Sequence, residues 1–256
     1  MPEYRKEIFA LRPWYHDFSR LGIQTDFRGY PPSLVQRAAN LARRLAGRKP
    51  REYGVLNSDL LINQRCKEAI LIPFLQRVFS ELPKYPPCLE LFCSDGYYSC
   101  LMKSMCPGAK IFGVDKDRRA IKLARTMSRV MGDESMGFLR DDLRRVDWWA
   151  VKPRDLVFCA GGLYHLEDPR GFIRHIRPQV GKYLILQTVV TLESEDPEYF
   201  VTPAPGWKHG SRFTHAAVKR WLTETGFTIL DEARNELEGN ARLCDRGSSY
   251  FLCGVG

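Results

Sequence analysis

No stretch of this 256-residue sequence stays apolar long enough to span a bilayer. Its first residues, Met1-Pro2-Glu3-Tyr4-Arg5-Lys6, lead into no apolar segment of the secretory kind. Together these absences set the expectation of a soluble, cytoplasmic protein with no membrane partner. The eight cysteines form no CxxC pair, and no histidine stands beside them at zinc-like spacing. Reduced, mostly buried thiols are expected, with Cys159 and Cys253 inside buried strands and no metal site. Internal repeats and low-complexity tracts are also missing.

What is there is ordinary in bulk and uneven in charge. A 44% hydrophobic content suits one large domain, or one domain with a helical extension. Residues 1–87 hold 15 Lys and Arg against 8 Asp and Glu, so they carry most of the net charge of +9. Such asymmetry points to an anionic substrate or partner, or to a solubilising surface.

Hydrophobic spacing divides the chain at the prolines Pro83, Pro86 and Pro87. Before them the pattern is helical. Leu34, Ala38, Leu41, Ala42 and Leu45 recur on one face, started by Pro31-Pro32-Ser33 and ended at Gly47-Arg48-Lys49-Pro50. A second helix is predicted over Asn63 to Leu82. Residues 1–87 are therefore read as a basic helical extension covering the substrate, and 88–256 as the cofactor-binding domain.

After Pro87, short apolar runs alternate with helical stripes. The runs are Cys88–Cys93, Ile111–Val114, Gly137–Leu139, Leu156–Ala160, Tyr183–Val190, Phe227–Leu230 and Tyr250–Gly254. The helices fall over Tyr98–Met105, Ala120–Met131, Gly171–Ile176 and His215–Thr225. This alternation predicts a doubly wound α/β fold with a mostly parallel, seven-stranded sheet.

In such sheets, ligands bind at the carboxyl ends of the central strands. The first strand ends in Leu89-Glu90-Leu91-Phe92-Cys93-Ser94-Asp95-Gly96-Tyr97, an acid followed by a tight turn and a helix. This is the layout that cradles S-adenosyl-L-methionine (SAM). Glu90 would serve the amino-acid end of the cofactor, and Phe92, Cys93, Ser94, Gly96 and Tyr97 would form the turn. The usual turn has three glycines; here Phe92 and Ser94 replace two of them. Asp115, at the end of the second strand and followed by Lys116, stands where a carboxylate can hold both ribose hydroxyls. A dehydrogenase reading suits these residues less well, because the turn lacks the glycines of a pyrophosphate cradle, whereas a sulfonium cofactor carries no phosphate. The third strand ends at Asp141-Asp142-Leu143. One of the two acids is expected to accept from the adenine amino group, with Asp142 favoured. The fourth strand ends at Gly161-Gly162-Leu163-Tyr164-His165.

The segment Gly161–Pro169 resembles the GVLYH stretch of class I methyltransferases, above all the tRNA wobble-uridine carboxymethyltransferase family. Pro13-Trp14, the run Gly22–Arg28, and Trp221-Leu222 with Gly226-Phe227 are similar to other segments of that family. The resemblance covers roughly residues 10–30 and 85–255. It implies a Rossmann-like methyltransferase fold that takes SAM and releases S-adenosylhomocysteine. That family recognises a carboxylated SAM through basic groups. This sequence departs at two of them, with Tyr15-His16-Asp17 after Trp14 and Leu166 after His165. A buried carboxylate without cationic partners is costly, so unmodified SAM and transfer of a plain methyl group are expected.

His165 is the first candidate general base, because imidazole ordinarily titrates near neutrality; packing against the cofactor is the alternative. His209 is a second candidate base, on the long loop Glu195–Arg212, where Trp207 is expected to stack on an acceptor. Tyr164 is expected to wall the cofactor pocket. Trp14, Tyr15, His16 and Arg28 are expected to close over the acceptor. The leading reading is O-methylation of a small molecule, anionic or sugar-like. Two others stay open: a tRNA- or RNA-modifying methyl or carboxymethyl transferase, and a non-catalytic methyltransferase-like binding protein.

Overall fold

A computed structural model of the chain describes residues 2–26, 34–49, 56–133, 135–146 and 152–255. Seven strands form one sheet: β1 (Pro87–Leu91), β2 (Lys110–Asp115), β3 (Gly137–Arg140), β4 (Arg154–Ala160), β5 (Val180–Val190), β8 (Thr228–Glu236) and β9 (Gly247–Gly254). Their order is β3-β2-β1-β4-β5-β9-β8. The first five pair in parallel, and β9 runs antiparallel to both of its neighbours. Each predicted run is a strand, and the sheet is doubly wound as expected. A separate two-stranded ladder, β6 (Phe200–Val201) with β7 (Arg212–Phe213), brackets the long loop after β5. Strands of two residues are too short to show periodicity, so this ladder is not legible in the sequence.

Helices cover both faces because successive strand residues point to opposite sides. Cys88 and Phe158 face one core, which they share with helices α3 (Ser58–Glu81), α4 (Tyr97–Met105) and α5 (Arg118–Val130) through Leu71, Leu75, Met102 and Met127. Leu89, Leu91, Val157 and Cys159 face the other, packed on α6 (Pro169–Ile176) and α7 (His215–Glu224) through Ile173, Val218 and Trp221. Side-chain caps fix the helix starts. Asn57 accepts the Asp59 N–H, Asp117 those of Arg119 and Ala120, Asp168 that of Gly171, and Thr214 that of Ala217. The Asn57 cap explains why α3 begins before the predicted Asn63. A short helix, α8 (Leu243–Arg246), leads into β9.

Helix α1 (Pro2–Ala10) and the segment after it also join the first core, through Ile8, Trp14 and Phe18. Helix α2 (Leu34–Leu45) behaves otherwise. The helix expected from its leucine spacing is there, and Leu34, Leu41 and Leu45 are exposed. Ridge spacing establishes a helix there without supplying it a surface to pack on. The predicted starter Pro31-Pro32-Ser33, the stop residue Pro50 and the candidate Arg28 lie outside the described residues. Among the described residues, no helix is long and apolar enough to cross a membrane.

Candidate active site

Strand order reverses between β1 and β4, and this leaves a crevice at their carboxyl ends. Most of the expected cofactor residues converge there. The turn after β1 holds Phe92 at φ 57°, Ser94 at φ 48° and Gly96 at φ 79°. These are the three positions where the usual turn carries glycine. The backbone therefore keeps the glycine conformation although two side chains oppose it, which stores strain at the site. Phe92 is held by packing. Its ring lies 5.5 Å from that of Phe172 and fills the space where a Cβ on Gly162 would be, 1.9 Å away. Gly96 has no such freedom. A Cβ there would come within 2.9 Å of the Ala124 Cβ, at a backbone angle side chains avoid. Gly96→Ala is expected to lower stability by about 2–3 kcal/mol, combining left-handed strain with overpacking. Chemical denaturation checks this; a loss below about 0.5 kcal/mol would mean that the turn yields easily.

Asp115 ties this turn to β2. One oxygen accepts the Ser94 N–H at 3.0 Å and the other the Asp117 N–H at 2.9 Å. Glu90 is 2% exposed and partnered by Ser99, whose hydroxyl donates to it. Burial pushes the Glu90 carboxyl up to about 8; the Ser99 hydroxyl opposes the rise, and nearby Asp95 and Asp115 add to it. At the end of β3, Arg144 grips both oxygens of Asp142, at 2.9 and 2.5 Å, and this holds its carboxyl well below the usual range. Asp141 is exposed and, among the described residues, accepts the Asp142 N–H alone. Asp142, the favoured candidate for the adenine contact, therefore already has a cationic partner, whereas Asp141 is open to solvent. Leu143 is buried beneath them and Lys116 is exposed.

Two expected cofactor contacts are turned away from the crevice. Tyr97 is fully buried, donates its hydroxyl to Glu68 at 2.5 Å and stacks on His16 at 5.0 Å. Cys93 is also buried, and desolvation raises its thiol well above the ordinary value. Of these two, only backbone remains to meet a ligand. Trp14 and His16 are corrected likewise as acceptor contacts. The Trp14 indole N–H is bonded to the Ile8 carbonyl at 3.0 Å, in the core. His16 reaches Asp95 with Nδ1 at 2.6 Å, while the backbone N–H groups of Tyr15 and His16 donate to the same carboxylate at 3.0 and 2.9 Å. Burial alone would raise the Asp95 carboxyl, but the His16 ring and these N–H groups outweigh it and lower it. These residues fasten the N-terminal segment to the cofactor turn. That leaves Tyr15 exposed above it, close enough to Tyr164 to raise that phenol alongside burial.

The turn after β4 is a 3-10 turn, Leu163–His165. His165 is pushed down to about 4, first by burial and then by the cations Arg212, Lys116 and Lys67. It does not titrate near neutrality, so the reason given for it as a base does not hold. At neutral pH it is an uncharged imidazole that can accept a hydrogen bond. The β6–β7 loop folds back on this turn. Ser211 donates its N–H to the Tyr164 carbonyl at 3.0 Å and its hydroxyl to that of Leu166 at 2.7 Å. Arg212, buried and paired with Asp245, lies 5.4 Å over the Tyr164 ring. Trp207 is 61% exposed at the loop tip. His209 is exposed and faces Glu167 at 3.6 Å.

Three residues of this site went unnoticed in the sequence: Arg212, Lys67 and Gln187. Lys67 sits on α3, 8% exposed, and desolvation lowers its ammonium to about 8. A Cβ on Gly161 would lie 3.3 Å from Lys67 Nζ and 3.9 Å from Gln187 Oε1. Nothing in the local pattern marks a lysine 94 residues before Gly161 as facing it.

A buried acid at the end of β1, a left-handed turn and a second acid at the end of β2 suit a cation-bearing nucleoside. Glu90 and Asp115 are the two acids that flank the left-handed turn. The fold and the site define an enzyme of the SAM-dependent methyltransferase class. A family model described as "Methyltransferase domain" matches residues 64–232, about two thirds of the sequence, and the chain belongs to that family. Among solved structures, it is similar to magnesium protoporphyrin IX methyltransferase from Synechocystis with bound S-adenosylhomocysteine. The identity is 16%, with TM-score 0.60, over 87% of this chain and 99% of that one. It is also similar to the N-terminal domain of EvdMO1 with S-adenosylhomocysteine bound (16%, 0.60, 100% and 97%) and to the 4+2 cyclase SpnF (16%, 0.57, 72% and 81%). These identities establish the shared fold alone. No curated protein sequence matches the chain.

Proposed function

We propose that the protein transfers a methyl group from unmodified SAM to an oxygen of a small-molecule acceptor. The observation that carries this reading is the left-handed turn Phe92–Gly96 strung between Glu90 and Asp115 at the switch point. When bound there, SAM supplies an electrophilic methyl group. The chain's own task is then to bind, orient and exclude water, which accounts for much of the acceleration in an in-line displacement. Tyr15, Tyr164 and His165 line the approach from the end of β4, and neutral His165 accepts a hydrogen bond from the acceptor hydroxyl. Trp207 and the rest of the β6–β7 loop offer an aromatic cover. A small acceptor agrees with the magnesium protoporphyrin methyltransferase among the similar structures. The RNA reading draws on the basic balance of residues 1–87 and on the family resemblance; of the two arginines in the last turn of α2, Arg44 is exposed and Arg43 half-buried. SAM with a tritiated methyl group, added with a metabolite extract and total tRNA, is expected to label the small-molecule fraction alone. Label in tRNA would overturn this reading in favour of the RNA one. Calorimetry with S-adenosylhomocysteine is expected to give one site per chain, and no binding would sink both.

A further inference from the structure

The inward face of α3 buries four polar side chains near its start: Asn63, Gln64, Lys67 and Glu68. Three have partners. Asn63 bonds Asn240 and the Gly239 N–H, Gln64 bonds both backbone groups of Asp17, and Glu68 takes Arg20 and the Tyr97 hydroxyl. Lys67 alone has no hydrogen-bond or ion-pair partner among the described residues, although it is 8% exposed. Gln187 on β5 is wholly buried. Its amide donates to Ser248 at 2.9 Å, which leaves Oε1 without a partner. A largely desolvated ammonium with no counter-charge among the described residues and a buried carbonyl with no donor are each costly. Both lie within 4 Å of one point above Gly161, at the end of β4. Gly161 leaves that point open, because it carries no side chain.

We propose that Lys67 and Gln187 form the acceptor-recognition pair of this site. Lys67 Nζ binds an anionic oxygen of the acceptor, and Gln187 Oε1 takes a hydrogen from a hydroxyl or amine of the same molecule. The acceptor class is a small hydroxy- or amino-carboxylate. The inference rests on the reading of the β4 end as the methyl-transfer site. It also gives the neutral His165 a purpose: ringed by cations, it adds no charge that would compete for the anion.

The test uses the full chain saturated with S-adenosylhomocysteine, whose own binding is measured first. Glycolate, lactate, salicylate and 4-hydroxybenzoate are each titrated against their neutral amides by calorimetry. At least one carboxylate is expected to bind tenfold or more tightly than its amide. Lys67→Met is expected to lose that preference, and Lys67→Arg to keep part of it. The ligand-free Lys67→Met protein is expected to melt higher by about 2 °C or more, since an unpaired buried charge is gone. A merely structural lysine would give a lower melting temperature on removal. No carboxylate preference in the wild type, an unchanged preference in Lys67→Met, or a lower melting temperature each overturns the proposal while S-adenosylhomocysteine still binds. If S-adenosylhomocysteine itself fails to bind, it is the methyltransferase reading that falls.

Discussion

Asp115→Ala weakens binding of S-adenosylhomocysteine by about two orders of magnitude, from two lost effects. The carboxylate is the group proposed to hold a ribose, and hydrogen bonds to a charged acceptor each contribute about 1.5–3 kcal/mol. The same carboxylate fastens the backbone of Ser94 and Asp117, so its loss also frees the strained turn. About 3 kcal/mol of binding corresponds to roughly a hundredfold. Asp115→Asn separates the parts, because an amide oxygen still accepts from one backbone N–H. Its expected loss is smaller, about tenfold. Calorimetry on both variants reads the result. An unchanged affinity in Asp115→Ala would remove the ribose assignment.

Raising the pH from 6 to 8 tightens binding of S-adenosylhomocysteine by about tenfold or more, and Glu90 is the cause. Its carboxyl, pushed up to about 8 by burial, holds a proton through this range when no ligand is bound. A cationic ammonium beside it favours the carboxylate, so binding expels that proton and becomes easier as the pH rises. Proton release is measured by calorimetry in buffers of different ionisation enthalpy. The sign for stability is opposite. The unfolded group releases its proton near 4.5, whereas the folded group keeps it to about 8. This contribution is full below 4.5 and is lost as the pH rises through 8. Glu90→Gln is expected to flatten both profiles. A wild-type affinity that does not change with pH would refute this account of Glu90.

Much of this was legible in the chain itself. The seven apolar runs became the seven strands, because a short continuous apolar run bounded by turn residues is a local property of strands covered on both faces. Glu90, Asp115 and the Asp141-Asp142 pair were found at successive strand ends for the same reason: each is marked by where a local run stops. Even the missing glycines misled only about chemistry. Phe92 and Ser94 take the left-handed backbone that glycine would take, held there by contacts with Gly162, Phe172 and Asp115.

What the tertiary structure alone decided concerns which groups are buried and against what. Trp14 and His16 had the right composition for a ligand cover, but Ile8 and Asp95 claimed them. Asp142, the adenine acceptor favoured by its place at a strand end, is paired with Arg144 in the fold. His165 looked like a base at the value of a free imidazole, and burial among cations removed that property. Lys67 and Gln187 are 120 residues apart, and each is unremarkable in its own segment. Short-range periodicity fixes which face of an element is apolar. Desolvation and Coulomb energy depend on what the folded chain brings within a few ångströms. The sequence by itself determined a methyltransferase-like sheet and the acids along its edge, and the packing of α3 against β5 decided that an ammonium with no partner among the described residues stands beside Gly161 at the end of β4.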